Sequence, residues 1–261
     1  MFDLAALEAE LAGSIFAGKL HFSCVTASTN SDALVAARAD GPHGSVYLAD
    51  EQLAGRGRGD HAWHSAPGEG LYVSVLLRPH LPAARLPLLP LAAGLAAADA
   101  VRSASGLAID LRWPNDLLLG ARKAGGILVE AKSEASAVAF AVVGIGINVH
   151  QSGFDPALAT LATSLDEEAG RPISRQALLV FLLKSLERET LALLHPAAEK
   201  TIPLRVQQAS TWVSGRRVQV HGPQACTGVT AGLDEHGFLL VRTANGVVTV
   251  TTGGIRAAEI G

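Results

Sequence analysis

Cysteine is nearly absent from this chain: Cys24 and Cys226 are its two thiols among 261 residues. Two thiols so far apart give no disulfide framework, and both lie in apolar, strand-like contexts that predict inert buried thiols in a reducing compartment. No Cys/His cluster has ligand spacing, which argues against a structural zinc site. A basic surplus is also missing. Lys and Arg total 21 against 24 Asp and Glu, a net charge of −3, which argues against a sequence-independent nucleic-acid coat. The start, Met1-Phe2-Asp3-Leu4, has neither the basic region nor the apolar core of a signal peptide. The most apolar stretch, 86–101, is broken by Pro87, Pro90 and Asp99, so no segment is expected to span a bilayer. No GxxxxGK[ST] occurs, which removes a P-loop nucleotide fold. These absences leave a soluble, cytoplasmic protein, long enough for one large domain with a small appendage and needing no covalent staple.

What is present reads as two kinds of grammar. Residues 4–11 predict a short amphipathic helix ending at Gly13, and residues 20–26 a strand that runs into Ser28-Thr29-Asn30. A helix then extends to Asp40 with Gly41 as its stop. Strands are expected at 45–49 and 71–77, a helix at 90–103 closed by Gly106, and strands at 108–113, 127–132 and 138–149. Ser174 caps a helix to about Leu194, with Leu178, Phe181, Leu182 and Leu186 at helical spacing. From Val213 onward short strands take over, at 217–221, 227–233, 238–242 and 247–251. Asp234-Glu235-His236-Gly237 and Asn245-Gly246 are the turn signals, the second read as a type I′ hairpin. A module of about 50 residues is marginal alone, so it is expected to dock on the larger part. The division falls at 1–210 and 211–261.

Two segments carry candidate chemistry. In Gln52-Leu53-Ala54-Gly55-Arg56-Gly57-Arg58-Gly59 the glycines bare backbone N–H groups, and the arginines add planar forks suited to phosphate or carboxylate oxygens. The same composition serves a mobile surface loop or an RNA-binding RGG-type segment. Trp63 follows closely; it is read either as plain core or as a stacking platform for a nucleobase, and its place just after the arginine loop favours the second. The second segment, Arg112-Trp113-Pro114-Asn115-Asp116 followed by Arg122-Lys123-Ala124-Gly125-Gly126, reads as a hairpin turning at Gly120. A Gly120-Ala121 loop sets Leu118 opposite Lys123, with Asp116 diagonal to it at about 7–8 Å; a Leu119-Gly120 loop sets Asp116 directly opposite. Either register puts carboxylate and ammonium on one face, where a surface ion pair of little worth is the alternative. The paired glycines favour a bulge or a close ligand. Gly144-Ile145-Gly146-Ile147-Asn148 ends an apolar strand and lacks dinucleotide-fingerprint spacing; Asn148 there is read either as an adenine-edge contact or as an ordinary turn residue.

Taken in order, Ser28-Thr29-Asn30, the loop from Gln52 to Trp63, Arg112 to Asp116 with Lys123, and Gly144 to Asn148 resemble biotin protein ligase, from about residue 20 to the end. The resemblance implies an α+β fold, a mixed or antiparallel sheet flanked by helices and related to class II aminoacyl-tRNA synthetases, with a small C-terminal SH3-like β-barrel. It implies that biotin and ATP give biotinyl-AMP with Mg²⁺, and that the biotinyl group then passes to a lysine on the biotin carboxyl carrier domain of a carboxylase. Ser28, Thr29, Asn30 and Gln52 would hold the ureido ring. Arg56, Gly57 and Arg58 would close over biotin and the adenylate phosphate. Lys123 would contact the biotin carboxylate and the α-phosphate, and Gly125 and Gly126 would line the biotin tail. Trp63, Asn115 and Asn148 would lie at the nucleotide. Lys123, Arg58 and Asp116 would be catalytic, with Asp116 orienting or deprotonating the acceptor lysine.

Many relatives carry further basic residues after the Arg58 position, where this chain has Gly59-Asp60-His61-Ala62; faster adenylate leakage is the expected consequence. A short form without the winged-helix DNA-binding domain of some relatives is expected, so no DNA partner, as a monomer or homodimer. The competing expectations are a lipoate or octanoate ligase or transferase of the same fold, which needs a long straight acyl pocket, and a non-enzymatic RNA-binding module.

Overall fold

The computed structural model describes residues 2–59, 61–155, 158 and 160–258. It is organised by a seven-stranded sheet in the order β1-β2-β3-β7-β6-β5-β4. The strands are β1 (Leu20–Thr26), β2 (Ser45–Gln52), β3 (Gly70–Leu77), β4 (Asp110–Arg112), β5 (Asp116–Leu119), β6 (Arg122–Glu134) and β7 (Ala137–Asn148). β1 runs parallel to β2 and every other pairing is antiparallel. The sheet is therefore mixed. Parallel pairing requires a crossover, which α2 (Thr29–Arg38) supplies between β1 and β2.

The two faces of the sheet divide the labour. Val73, Val75, Ile127, Val143 and Ile145 point into the main core beneath α3 (Leu89–Ser105) and α5 (Arg175–Leu194). α2 covers part of the opposite face, where Ala33 and Ala37 pack on Leu76, Phe140 and Val142. The rest of that face is left open. α1 (Leu4–Glu10) is capped by the Asp3 side chain, α4 (Leu165–Ala169) by Ser164, and α6 (Ala198–Gln208) leads out of this part of the chain. Among the described residues one helical run, Ala83–Ser105, is long and apolar enough to cross a membrane by length and composition. Here its α3 portion lies in the core, with Leu89, Ala93, Ala97 and Val101 buried.

A five-stranded antiparallel sheet follows, in the order β11-β10-β9-β8-β12. It comprises β8 (Ser214–His221), β9 (Cys226–Leu233), β10 (Leu239–Thr243), β11 (Gly246–Val250) and β12 (Gly254–Ala257). This is the small SH3-like module that the change of grammar foreshadowed. It docks through Trp113, whose buried Nε1 donates to the Gly237 carbonyl at 3.1 Å.

Several expectations are corrected. Cys24 is exposed and Cys226 half-buried: β1 is an edge strand, so an apolar neighbourhood in sequence does not bring coverage in space. Phe181 is exposed, on the outer side of α5. The left-handed residue that ends α2 is Asp40, at φ 55°, rather than Gly41. The second hairpin turn is not type I′, which needs positive φ at both central residues. Its register pairs Thr243 with Gly246, so the loop is Ala244-Asn245, and Gly246 at φ 116° takes the left-handed step.

Candidate active site

The open face of the sheet is built by register. Tyr72, Gly146 and Gly126 lie in one row across β3, β7 and β6, and Ser74, Gly144 and Leu128 in the next. Two glycines at i and i+2 on β7 strip side chains from adjacent rows, and other residues fill the space. A Cβ on Gly144 would stand 2.0 Å from Asn30 Oδ1, and one on Gly146 would stand 2.6 Å from the Trp63 indole. The glycine spacing that failed as a dinucleotide fingerprint thus has a different cause: it seats an amide and an indole against bare backbone. Above this floor opens a cleft of about 780 Å³.

Ser28 is buried at the N-cap of α2, which places Thr29 and Asn30 on the first turn, facing the sheet. Gln52 Oε1 accepts from Thr29 N at 2.9 Å, and Gln52 Nε2 donates to Ser65 Oγ at 2.8 Å. Thr29 Oγ1 lies 2.8 Å from Ser74 Oγ, which donates to Asn30 Oδ1. Asn30 Nδ2 in turn donates to Glu130 at 2.9 Å. The floor is one connected polar network, and such networks hold their members in fixed orientations.

The glycine-arginine segment closes over it as a flap. Gly57 N donates to the His61 carbonyl at 2.7 Å and Trp63 N to Gly55 O at 2.8 Å, a short antiparallel ladder. Arg56 forms a two-pronged pair with Glu130, and Arg58 reaches across to the second sheet, where Nη1 donates to Gly253 O at 2.7 Å. Burial lowers the Arg58 pKa from its ordinary value, an effect that Asp116 opposes. Asp60 lies outside the described residues.

The hairpin adopts the Gly120-Ala121 loop, with Leu118 opposite Lys123, and a bulge then sets Asp116 against Gly126. Asp116 divides its oxygens: Oδ1 meets Lys123 Nζ at 2.5 Å, and Oδ2 accepts from Arg112 Nε at 3.0 Å and Nη2 at 2.7 Å. Arg112 is itself stacked on Trp212, 5.2 Å from the ring centroid. Burial would raise the Asp116 pKa, but Lys123 and Arg112 outweigh it and hold the carboxyl below its usual range. Lys123 Nζ also lies 5.5 Å from the Trp63 ring centroid, within cation–π range.

Ser28, Thr29, Asn30, Gln52, Arg56, Gly57, Arg58, Trp63, Asn115, Asp116, Lys123, Gly126 and Asn148 all line this cleft. Gly125 does not; a Cβ there would meet Gly146 O at 2.8 Å and Leu117 Cδ1 at 2.9 Å, so close strand packing accounts for it. Both asparagines spend amide hydrogens within the fold. Asn148 Nδ2 donates to Thr163 O at 3.0 Å and to Lys123 O at 3.4 Å, which leaves its Oδ1 to offer a ligand, and Asn115 Nδ2 donates to Ile127 O at 2.9 Å, which leaves its Oδ1 and a second N–H. Sequence reading missed Ser65 and Glu130, which bond to Gln52 and Asn30, Ser74, Arg112 as a partner of Asp116, and the wall supplied by His221 and Thr252 to Arg256. Strand alternation was the available signal for Ser74 and Glu130, but the β3-β7-β6 register was needed to bring them to one face. Trp63 Nε1 and His221 Nε2 are buried on this cleft without a partner among the described residues.

The fold and the cleft are those of a two-part catalytic ligase. Residues 22–148 match the biotin/lipoate A/B protein ligase family, and residues 213–255 match the biotin protein ligase C terminal domain. The bifunctional ligase/repressor BirA of Bacillus spizizenii is 32% identical over 239 residues, which cover 90% of this chain and 73% of that protein. The biotin–[acetyl-CoA-carboxylase] ligase of Mycobacterium tuberculosis is 32% identical over 238 residues, 88% of this chain and 85% of that one. Among solved structures, the biotin protein ligase from Aquifex aeolicus in complex with biotin and ATP is similar at a TM-score of 0.77 and 28% identity, covering 92% of this chain and 98% of that one. The chain belongs to the biotin protein ligase family.

Proposed function

We propose that this ligase condenses biotin with ATP to biotinyl-AMP and pyrophosphate, then transfers the biotinyl group to a lysine of a biotin carboxyl carrier domain. The observation that carries the reading is the convergence of Arg58, Lys123 and Asp116 on one cleft whose floor is a polar network. The first step joins two anions, a carboxylate and a triphosphate, and needs cations fixed in advance. Arg58 and Lys123 are those cations, and both are already held, by Gly253 O and by Asp116. Mg²⁺ enters with the nucleotide as part of the substrate, since it prefers phosphate oxygens and water to an all-protein cage.

The second step needs a neutral lysine nucleophile. Deprotonating a free lysine at pH 7 costs about 4.6 kcal/mol from an ordinary pKa near 10.4. Asp116, held as an anion below its usual range, is a weak base there, so its part is to orient the incoming amine and fix Lys123 rather than to store the proton. Asn115 and Asn148 would offer Oδ1 to the nucleotide, and Trp63 its ring. The polar floor of Thr29, Asn30, Ser74 and the half-buried Gln52 favours a ureido ring over a straight acyl chain, which would leave these groups without ligand partners. This chemistry goes with a cytoplasmic enzyme.

The deciding measurement is mass spectrometry of a carrier domain after incubation with biotin, ATP and Mg²⁺, beside calorimetry with biotin and with lipoate. Modification of one lysine and binding of biotin alone are expected. Binding of lipoate alone would overturn the choice of substrate, and salt-dependent RNA binding with no ATP–pyrophosphate exchange would overturn the enzyme.

A further inference from the structure

Glu130 stands outside every role so far assigned, yet it is where the flap meets the floor. It projects from β6 at its pairing with Val142, on the same face as Gly126 and Leu128. Its two oxygens take both prongs of the Arg56 guanidinium, at 3.1 Å and 2.5 Å, and also accept from Asn30 Nδ2 at 2.9 Å. An exposed ion pair alone would mean little. This one has fork-to-fork geometry and is continued by Asn30, which is buried, into the floor network.

We propose that Glu130 is a positioning residue that does two things at once: it latches Arg56 of the flap, and it fixes which way the Asn30 amide points. The second follows from chemistry. An ionised carboxylate accepts and cannot donate, so Asn30 must turn Nδ2 towards Glu130 and Oδ1 away from it. Oδ1 already receives the Ser74 hydroxyl and keeps a second lone pair for a ligand N–H. The floor therefore presents an acceptor at Asn30, as a cyclic urea with ring N–H donors requires. A glutamine at 130 can donate or accept, and that direction is lost. A flap so latched reports on the floor, because the carboxylate that holds Arg56 is the one that orders Asn30. The identity of the ligand rests on the proposed biotin reading, but the latch is a property of the chain alone.

The experiment uses the full chain and E130Q, which is nearly isosteric, with R56A and the double variant R56A/E130Q. Without ligand, tryptic cleavage after Arg58 should be roughly tenfold faster in E130Q than in the parent, the fold-change expected for one lost charge-assisted bond. The double variant should be cleaved no faster than R56A. With ligand, the KM for biotin in adenylate formation should rise roughly tenfold in E130Q, and by more than in R56A, while the KM for ATP and the melting temperature stay near the parent values. Parental cleavage of E130Q, or additive effects in the double variant, would overturn the latch. An unchanged KM for biotin, or equal rises for biotin and ATP, would overturn the role at Asn30. If the parent bound no biotin, the proposed function would fall, while the proteolysis arm would still decide the latch.

Discussion

Lys123 is held from two sides before any substrate arrives: its ammonium meets Asp116 at 2.5 Å and lies over the Trp63 ring. A cation fixed this way does not have to reorganise as charge develops at the α-phosphate, the condition under which electrostatic stabilisation is largest. Lys123→Ala should lower ATP–pyrophosphate exchange by about 10²–10³-fold; near-parental exchange would remove Lys123 from the first step. Asp116 yields a pH test. Its folded-state pKa is depressed, with Lys123 and Arg112 overcoming burial. Its contribution to stability is thus present above the unfolded pKa of about 3.9 and is lost as pH falls through the lower folded value. Against Asp116→Asn, urea titrations should show the parent more stable at pH 7, with the difference shrinking below about pH 4. A gap that persists unchanged to pH 2.5 would mean that the carboxylate is not held by those cations.

At the scale of elements, β7 shapes the cleft by what it omits. Gly144 and Gly146 leave room for Asn30 and for the Trp63 indole. Gly146→Ala should keep the strand pairing but push the half-buried indole off the floor, since a Cβ would lie 2.6 Å from it. The expected result is a red-shifted tryptophan emission and roughly tenfold weaker nucleotide binding, the scale of one lost stacking contact, with little change in melting temperature. An unshifted spectrum would show that Trp63 does not sit there in solution.

This strand also marks what could be read in advance. Gly120 disclosed the hairpin but left two registers open, of which the structure takes the Gly120-Ala121 loop, and the apolar run of β7 disclosed a strand, because turn chemistry and burial are local signals. The purpose of the two β7 glycines was illegible, as it depends on a helix and a flap far away in sequence. α6, with Pro203 inside it, was missed because proline reads as a breaker. β12 was missed because its four residues are too few to show alternation. Glu130 was illegible as a site residue for a third reason: alternation gives its face, but a charged residue on a strand reads as solvated until the flap is folded over it.

The whole molecule is held as one unit by contacts that also wall the cleft. Arg58 reaches Gly253 from one side, and Trp113 reaches Gly237 from the other. Val218, Val220, Leu239 and Val241 of the second sheet belong to the same continuous core as Leu88, Leu91 and Trp113. A shared core predicts shared unfolding. Trp113→Phe keeps most of the ring but leaves the Gly237 carbonyl without its donor, a loss worth about 1–3 kcal/mol when buried. Urea unfolding of the variant should stay a single transition with an unchanged slope and a lower midpoint, as expected when stability falls without a change in the surface exposed. The KM for ATP should rise with it, because Trp113 docks the second sheet, and that sheet supplies the cleft wall formed by Thr252 to Arg256. Two separate transitions, with the C-terminal module melting first and adenylate formation surviving its loss, would show that the second sheet is a passenger rather than part of the site.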